Sequence, residues 1–533
     1  MPREQEWVRG MTDITRREFL ETYAVAAAVP FYRRSQAGSP IDGPMAALRA
    51  AIPQAEADPN RPVYHFRPPA NWTNDPNGTI FYRGWHHLFY QLNPAAPRGG
   101  NQHWGHARSR DLVNWEHLPI ALWPLTDRGE RAIFSGGATI GADGRPVLFY
   151  TSIGHPTPEQ WIALPKDDDL VGWDRPAINP ILTLAAHGTT NVAQWRDPFL
   201  FREGGRQFMV CGGNLNNSRG GEGCVLLYRA ADAGLTKWDY LGVVFRYADP
   251  QIWNVECPNL FRLGSKWVLL MSPQQPCEYF VGDLDLARVR FTPEAHGILD
   301  PGSSYASNIS VDDKGRTIQW LWGRTTNSPE KGWNGVMTIP RILSLNPAGY
   351  LRQQPAAEFE QLRGAPIVET NLEVPRGQPM VLDRIQGDCL EIGAEIVMNG
   401  AAEVGFEVRR SAEGRAGASV KINRMSGSLH IGNTRAVIPR GAEKYSLRLF
   451  LDKSVLEVFV NDGDAAVYTT LEAGSSEMGV AVTSAEAQGR GGRAAGPGPG
   501  PGRGATALGN ARIESLTAWP MKPATFSLER FRA

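Results

Sequence analysis

Cysteine is scarce in this chain, and the five residues present (Cys211, Cys224, Cys257, Cys277 and Cys389) are scattered. Odd in number and widely spaced, they exclude a disulfide framework and match no zinc pattern. The ten histidines fall into no metal-ligand spacing either. Net charge is also lacking: 55 Lys+Arg balance 55 Asp+Glu, so no field draws the protein to nucleic acid or an anionic membrane. No apolar run reaches transmembrane length, and no helical periodicity is sustained. What is present is a chain of 533 residues, 42% hydrophobic and 21% charged, which fits a soluble protein of two or three domains. Aromatics are plentiful, with 16 Trp and 14 Tyr. Their flat faces pack cores and also stack on sugar rings, so composition leans toward carbohydrate.

The first 37 residues carry Thr15-Arg-Arg-Glu-Phe-Leu20, then Ala24-Val-Ala-Ala-Ala-Val29, then Ser35-Gln-Ala37. Paired arginines, a mildly apolar stretch and small residues at a cleavage position resemble a twin-arginine export signal. The expectation is an exported protein, periplasmic or extracellular. Glu21 and Pro30 interrupt the apolar part, and the competing reading is a basic leader. Met11 is an alternative start. No early cysteine is available for lipid attachment, so the product would be released with no membrane partner.

A repeat organises the next three hundred residues. Turn glycines fall at Gly84, Gly144, Gly204, Gly264 and Gly315, spaced 60, 60, 60 and 51. A second marker, Leu-x-x-Trp, recurs at Leu112 to Trp115, Leu170 to Trp173 and Leu235 to Trp238. Around each glycine lie two short runs of strand formers, the pattern of a β-hairpin. Four-stranded units at this period are the mark of propeller blades. The expected fold is all-β: a five-bladed β-propeller over residues 60–365, with a chance-periodic sandwich as the competing reading.

Three acids open these hairpins: Asp75 in Trp72-Thr-Asn-Asp-Pro-Asn-Gly78, Asp197 in Arg196-Asp-Pro198 and Glu256 in Glu256-Cys-Pro258. Asp75 precedes Trp115 by 40 residues and Asp197 precedes Trp238 by 41, so both are expected at one place in blades one and three. Glu256 is expected at that place in blade four. Innermost strands face the propeller axis, so the three should converge at the mouth of the central channel. After Pro366, alternating runs such as Leu390–Ile396, Val404–Val408 and Val455–Val460 suggest a half-buried antiparallel sheet. A C-terminal β-sandwich is expected over 366–533, with a disordered Gly/Pro/Arg-rich loop at 487–506.

Converging carboxylates among aromatics fit glycoside cleavage. One must be ionised and another must carry a proton, and crowding separates their pKa values. Taken alone, Asn74-Asp-Pro-Asn-Gly78 would be only a turn. Together, these stretches resemble glycoside hydrolase family 32, the β-fructofuranosidases that include invertases, levanases and exo-inulinases. The likeness continues through His87–Pro94, Trp104-Gly-His-Ala107, Asp111–Trp115, Phe134-Ser-Gly136, Gly335–Arg341 and Asp452–Asn461.

That resemblance implies Asp75 as nucleophile, Glu256 as general acid and base, and Asp197 as stabiliser of the oxocarbenium-like transition state, oriented by Arg196. It places Asn74, Gln91, Phe134, Ser135, Cys257 and Trp322 around a terminal fructose, although Phe134 and Trp322 also read as core. It implies no metal and no other cofactor. The substrate would be a fructan or sucrose, and the protein a monomer or weak oligomer.

Two departures touch the leaving-group side. Arg98-Gly-Gly100 stands where the family often has a tryptophan, and Asn259 replaces an acid common after Glu-Cys-Pro. Three functions stay in play: a retaining fructan or sucrose hydrolase, a fructosyltransferase, and a non-catalytic fructan-binding protein. The last would be expected to have lost an acid, and none is lost.

Overall fold

A computed structural model describes residues 39–217, 222–249, 251–325, 329–485 and 510–532. The export-like segment 1–37 and the loop 487–506 lie outside the described residues. The chain divides into two compact units, one of residues 1–361 with 523–533, the other of residues 362–522.

The first unit is a five-bladed propeller. From inner to outer strand, blade one runs Asn71–Tyr82, Trp85–Asn93, His103–Ser109 and Trp115–Leu122. Blade two runs Ala132–Ile140, Pro146–Ile153, Glu159–Pro165 and Trp173–Asp174; blade three Val192–Glu203, Arg206–Leu215, Gly223–Ala230 and Trp238–Tyr247. Blade four runs Glu256–Leu263, Lys266–Ser272, Cys277–Asp285 and Arg290–Asp300; blade five Ser304–Val311, Thr317–Gly323, Arg341–Leu345 and Leu351–Pro355. Innermost strands pack on those of the neighbouring blades, and blade five on blade one closes the ring.

Both sequence markers have a physical basis. Each turn glycine joins the two inner strands of a blade with φ between 55° and 78°, a region costly for residues with a Cβ. In Leu-x-x-Trp the leucine also takes positive φ, at 65°, 60° and 58° for Leu112, Leu170 and Leu235. Asp111, Asp167 and Asp232 hold these turns, each accepting two backbone N–H groups through its carboxylate. The tryptophan then enters the outermost strand, and in blades two and three it packs edge-on against a phenylalanine of the preceding blade, whereas Trp115 of blade one packs edge-on against Phe66 at 5.0 Å. Trp173 meets Phe89 at 5.5 Å and Trp238 meets Phe149 at 5.7 Å. Trp173 and Trp238 are thus contacts between blades.

Three features depart from the sequence reading. Helix Asp42–Ala57 precedes the propeller and buries Met45, Leu48, Ile52 and Ala55. These fall at a helical spacing, but alanines at positions around them and Pro53 within the last turns dilute the pattern. Trp333–Asn334 pairs in parallel with Asn71 and Trp72. Finally, the expectation of a sandwich continuing to residue 533 is corrected. Phe526–Ser527 pairs in parallel with Trp115 and Glu116 of blade one, and Phe526 packs on Phe66 and His117. A two-residue strand leaves no period to read.

The second unit is a sandwich of two six-stranded sheets. Alternation assigns its core: Leu390, Ile392, Ala394 and Ile396 of one sheet and Val404, Phe406 and Val408 of the other belong to one buried cluster.

Candidate active site

Every innermost strand carries a register shift near its start. The ladder is interrupted between Thr73 and Pro76, Ile133 and Gly136, Arg196 and Phe199, Glu256 and Asn259, and Tyr305 and Ser307. Such bulges re-aim side chains. The extra residues are Asn74-Asp75, Phe134-Ser135, Asp197-Pro198, Cys257-Pro258 and Ala306. Asp197, Cys257 and Ala306 take φ of 62°, 47° and 48°.

The expected equivalence of the three acids is therefore corrected by one residue in each direction. Asp197 shares its ladder position with Asn74, Phe134 and Cys257. Asp75 lies one position later, with Ser135, and Glu256 one earlier, with Arg196 and Tyr305. This stagger places different partners around each carboxylate.

Asp75 accepts from the Ser135 hydroxyl at 2.5 Å and from Asn74 Nδ2 at 2.9 Å. Gln91 Nε2 donates to Ser135 Oγ at 2.7 Å, which leaves the hydroxyl proton for Asp75. Asp197 accepts the Cys257 backbone N–H at 2.9 Å, while its own N–H donates to Thr151 Oγ1 at 3.0 Å. The Cys257 thiol lies 3.6 Å from Oδ2 of both aspartates. Glu256 receives Tyr305 Oη–H at 2.7 Å and Arg196 Nη1–H at 3.3 Å. Arg196 also donates to the Gln194 backbone and side-chain oxygens, and its guanidinium lies 5.4 Å from the Phe134 ring centre.

Burial sets the electrostatics. It pushes the Asp75 pKa up to about 6, aided by the Glu256 charge and opposed by the hydrogen bonds from Ser135, Cys257 and Asn74. It pushes Asp197 up to about 7, opposed by Arg196 and the Cys257 N–H and aided by Asp75 and Glu256. The Cys257 thiol rises well above its ordinary value, first through burial and then through the three acids around it.

Contacts thus link Asp75, Asp197, Asn74, Gln91, Ser135 and Cys257, and separately Glu256, Arg196 and Phe134; Cys257 adjoins Glu256 in the chain. Trp322 stands opposite Tyr305 in blade five and edge-on to Trp72 at 6.0 Å. Phe134 and Trp322 are both half-buried. Sequence reasoning missed Thr151, Gln194 and Tyr305. Tyr305 shares the ladder position of Glu256, but the shorter fifth repeat hid that correspondence. Among the described residues, no group of three or more His, Cys, Asp or Glu is arranged to hold a metal ion.

A propeller that gathers buried, hydrogen-bonded carboxylates at one end of its innermost strands defines a site of the glycoside-hydrolase class. Residues 65–355 match the family description "Glycosyl hydrolases family 32 N-terminal domain", and residues 358–489 match "Glycosyl hydrolases family 32 C terminal". The chain belongs to glycosyl hydrolase family 32. It is 33% identical over 409 residues to a rice (Oryza sativa subsp. indica) protein named β-fructofuranosidase, insoluble isoenzyme 2, covering 68% of this chain and 65% of that one. The chain thus spans about two thirds of that relative's length. It is 29% identical over 522 residues to the levanase of Bacillus subtilis, covering 87% of this chain and 70% of that one. Among solved structures, fructan 1-exohydrolase IIa of Cichorium intybus superposes with a TM-score of 0.72 at 26% identity, covering 88% of this chain and 98% of that one.

Proposed function

We propose that this chain is a retaining β-fructosidase that releases terminal fructose from sucrose or a fructan such as levan or inulin. The observation that carries this reading is the position of Cys257. Its thiol is 3.6 Å from both Asp75 and Asp197, and its backbone continues from Glu256. Three acids with three different sets of partners are thereby joined in one cluster.

In this reading Asp75 attacks the anomeric carbon as the carboxylate that Ser135 and Asn74 favour. The bond to the leaving oxygen breaks as Glu256 gives that oxygen its proton, leaving a fructosyl ester on Asp75. Glu256, now ionised, takes a proton from water. The resulting hydroxide displaces the ester and frees fructose with its configuration retained. Asp197 faces the developing positive charge. Names of relatives such as β-fructofuranosidase, levanase and fructan exohydrolase support the substrate class. Export belongs to the same reading and rests on the sequence of residues 1–37.

Purified protein should release fructose from sucrose, inulin or levan, with rates compared side by side, and Asp75→Ala should abolish release. Wild-type protein that frees no fructose from any of the three would overturn the reading. Chain-lengthened oligosaccharides at high sucrose would assign transfer instead of hydrolysis.

A further inference from the structure

Asn308 belongs to blade five, yet both ends of its side-chain amide bond to other blades. Its Oδ1 accepts from Thr79 Oγ1 of blade one at 2.9 Å, and its Nδ2 donates to Gly136 O of blade two at 3.0 Å. The second bond reaches past blade one, which stands between blades five and two in the ring. A carbonyl oxygen can only accept, so the amide nitrogen has to face Gly136. The Thr79 hydroxyl then supplies the proton that the amide oxygen needs. Asn308 and Thr79 are both buried.

Gly136 lies on an edge. Ala132–Ile140, the innermost strand of blade two, has a strand partner in its sheet on one side only. Gly136 turns its carbonyl to Asn308 and its N–H to Asn77 Oδ1 of blade one, 3.2 Å away. Two asparagine side chains thereby satisfy backbone groups that no strand pairs. From the opposite side Gly136 is pressed by the second strand, since a Cβ there would lie 1.9 Å from Phe149 O. Directly before it comes Ser135, in the bulge, with its hydroxyl 2.5 Å from Asp75.

We propose that Asn308 is a positioning residue for the nucleophile: by holding the Gly136 carbonyl it fixes the Phe134-Ser135 bulge, so that the Ser135 hydroxyl stays on Asp75. The inference rests on the reading of Asp75 as nucleophile. Gln91 holds the Ser135 hydroxyl itself, whereas Asn308 holds the backbone from which that hydroxyl projects. Without Asn308 the Gly136 carbonyl loses its buried partner, and a shift of the bulge is the movement that relieves it. Such a shift lengthens the bond from Ser135, the shortest that Asp75 receives from Ser135, Asn74 and Cys257.

The test follows kcat/KM from about pH 4 to pH 8 on whichever of sucrose, inulin and levan the wild-type protein cleaves fastest. Wild-type protein, Ser135→Ala, Asn308→Ala and the double variant are compared, with melting temperature as the folding control. Asp197, Glu256, Arg196 and the Cys257 thiol are the charged and titratable groups around Asp75 and Asp197, and these variants leave all four in place. Asn308→Ala should move the acid limb upward by about half a pH unit, because ionised Asp75 is less well served by its donor. The double variant should place the limb where Ser135→Ala alone places it, since the route through the hydroxyl is already gone. Should Asn308→Ala fail to fold, Thr79→Val removes only the donor that orients the amide, and it should move the limb in the same direction. An unmoved limb, with melting temperature and kcat lowered, would overturn the proposal, because Asn308 would then be a structural contact alone. A double variant whose limb moves beyond that of Ser135→Ala would overturn it too, since Asn308 would then reach Asp75 by another route. Wild-type protein that frees no fructose would overturn the β-fructosidase reading and this inference with it, an outcome distinct from active wild type with an unmoved limb.

Discussion

Ser135 and Asp75 are sixty residues apart in sequence and 2.5 Å apart across the boundary between blades one and two. The same separation recurs between Arg196 and Glu256 and between Asp197 and Cys257, both spanning blades three and four. A propeller brings each innermost strand beside the next, so one repeat length becomes one hydrogen-bond length. The site is built from contacts between equivalent strand ends, and the bulges decide which side chain each strand contributes.

Ser135→Ala should shift the pH profile. The Ser135 hydroxyl donates to the ionised form of Asp75 and so holds its pKa down, to about 6 against the upward push of burial. Without that donor the pKa rises further, and the fraction of ionised Asp75 at pH 5–6 falls. The acid limb of kcat/KM should therefore move upward by about one pH unit, while activity at pH 8 suffers less. An acid limb that stays in place would show that Ser135 does not tune Asp75.

Asp197→Asn should stabilise the fold at neutral pH while destroying activity. The ordinary aspartate value of 3.8 is raised to about 7 in the fold. A raised acid binds its proton more tightly when folded, so its contribution is fully favourable below about pH 4 and is lost as pH rises through 7. Removing the charge should gain on the order of 2–4 kcal/mol at pH 8 and nothing of this kind at pH 4. Melting temperatures of both proteins across pH 4–8 check this. A gain independent of pH would contradict it.

Much of this was legible in the sequence because the repeat markers are geometric necessities. Gly84, Gly144, Gly204, Gly264 and Gly315 all sit at positive φ, and Trp173 and Trp238 of Leu-x-x-Trp bridge neighbouring blades. The one-residue stagger of Asp75, Asp197 and Glu256 was not legible, because a bulge depends on cross-strand pairing that no spacing reports. Tyr305 was hidden because the fifth repeat is shorter, 51 residues between turn glycines against 60. The returning strand Phe526–Ser527 is too short to carry a period, and in helix Asp42–Ala57 surrounding alanines dilute the spacing of Met45, Leu48 and Ile52.

Two glycine substitutions should separate turn strain from close packing. A Cβ on Gly264 would meet nothing within 4 Å, so Gly264→Ala costs only the φ of 63°, about 1 kcal/mol. A Cβ on Gly136 would lie 1.9 Å from Phe149 O, contact that only backbone movement relieves. Gly136 also receives Asn308 Nδ2 on its carbonyl and gives its N–H to Asn77 Oδ1, directly after Ser135. Gly136→Ala should thus lower both melting temperature and kcat, whereas Gly264→Ala should leave kcat within about twofold. Equal effects from the two would refute the distinction.

Arg341 and Asp300 form an ion pair with no exposed side-chain surface, Nη2 to Oδ2 at 2.8 Å, joining the end of blade four to blade five. Further hydrogen bonds surround the pair: Arg341 Nη1 donates to Gln353 Oε1 at 3.0 Å, Gln353 Nε2 to Leu299 O at 2.6 Å, and the Gly302 N–H to Asp300 Oδ1 at 2.9 Å. Removing one partner leaves the other charge buried among groups arranged for its counterion. Asp300→Asn or Arg341→Met should therefore each destabilise the protein by about 3–5 kcal/mol. The double variant Asp300→Asn/Arg341→Met deletes both charges and the desolvation they require, so its loss should be smaller than the sum of the single losses. Urea unfolding of the four proteins, followed by tryptophan fluorescence, measures the coupling. Additive losses would mean that the two side chains act independently.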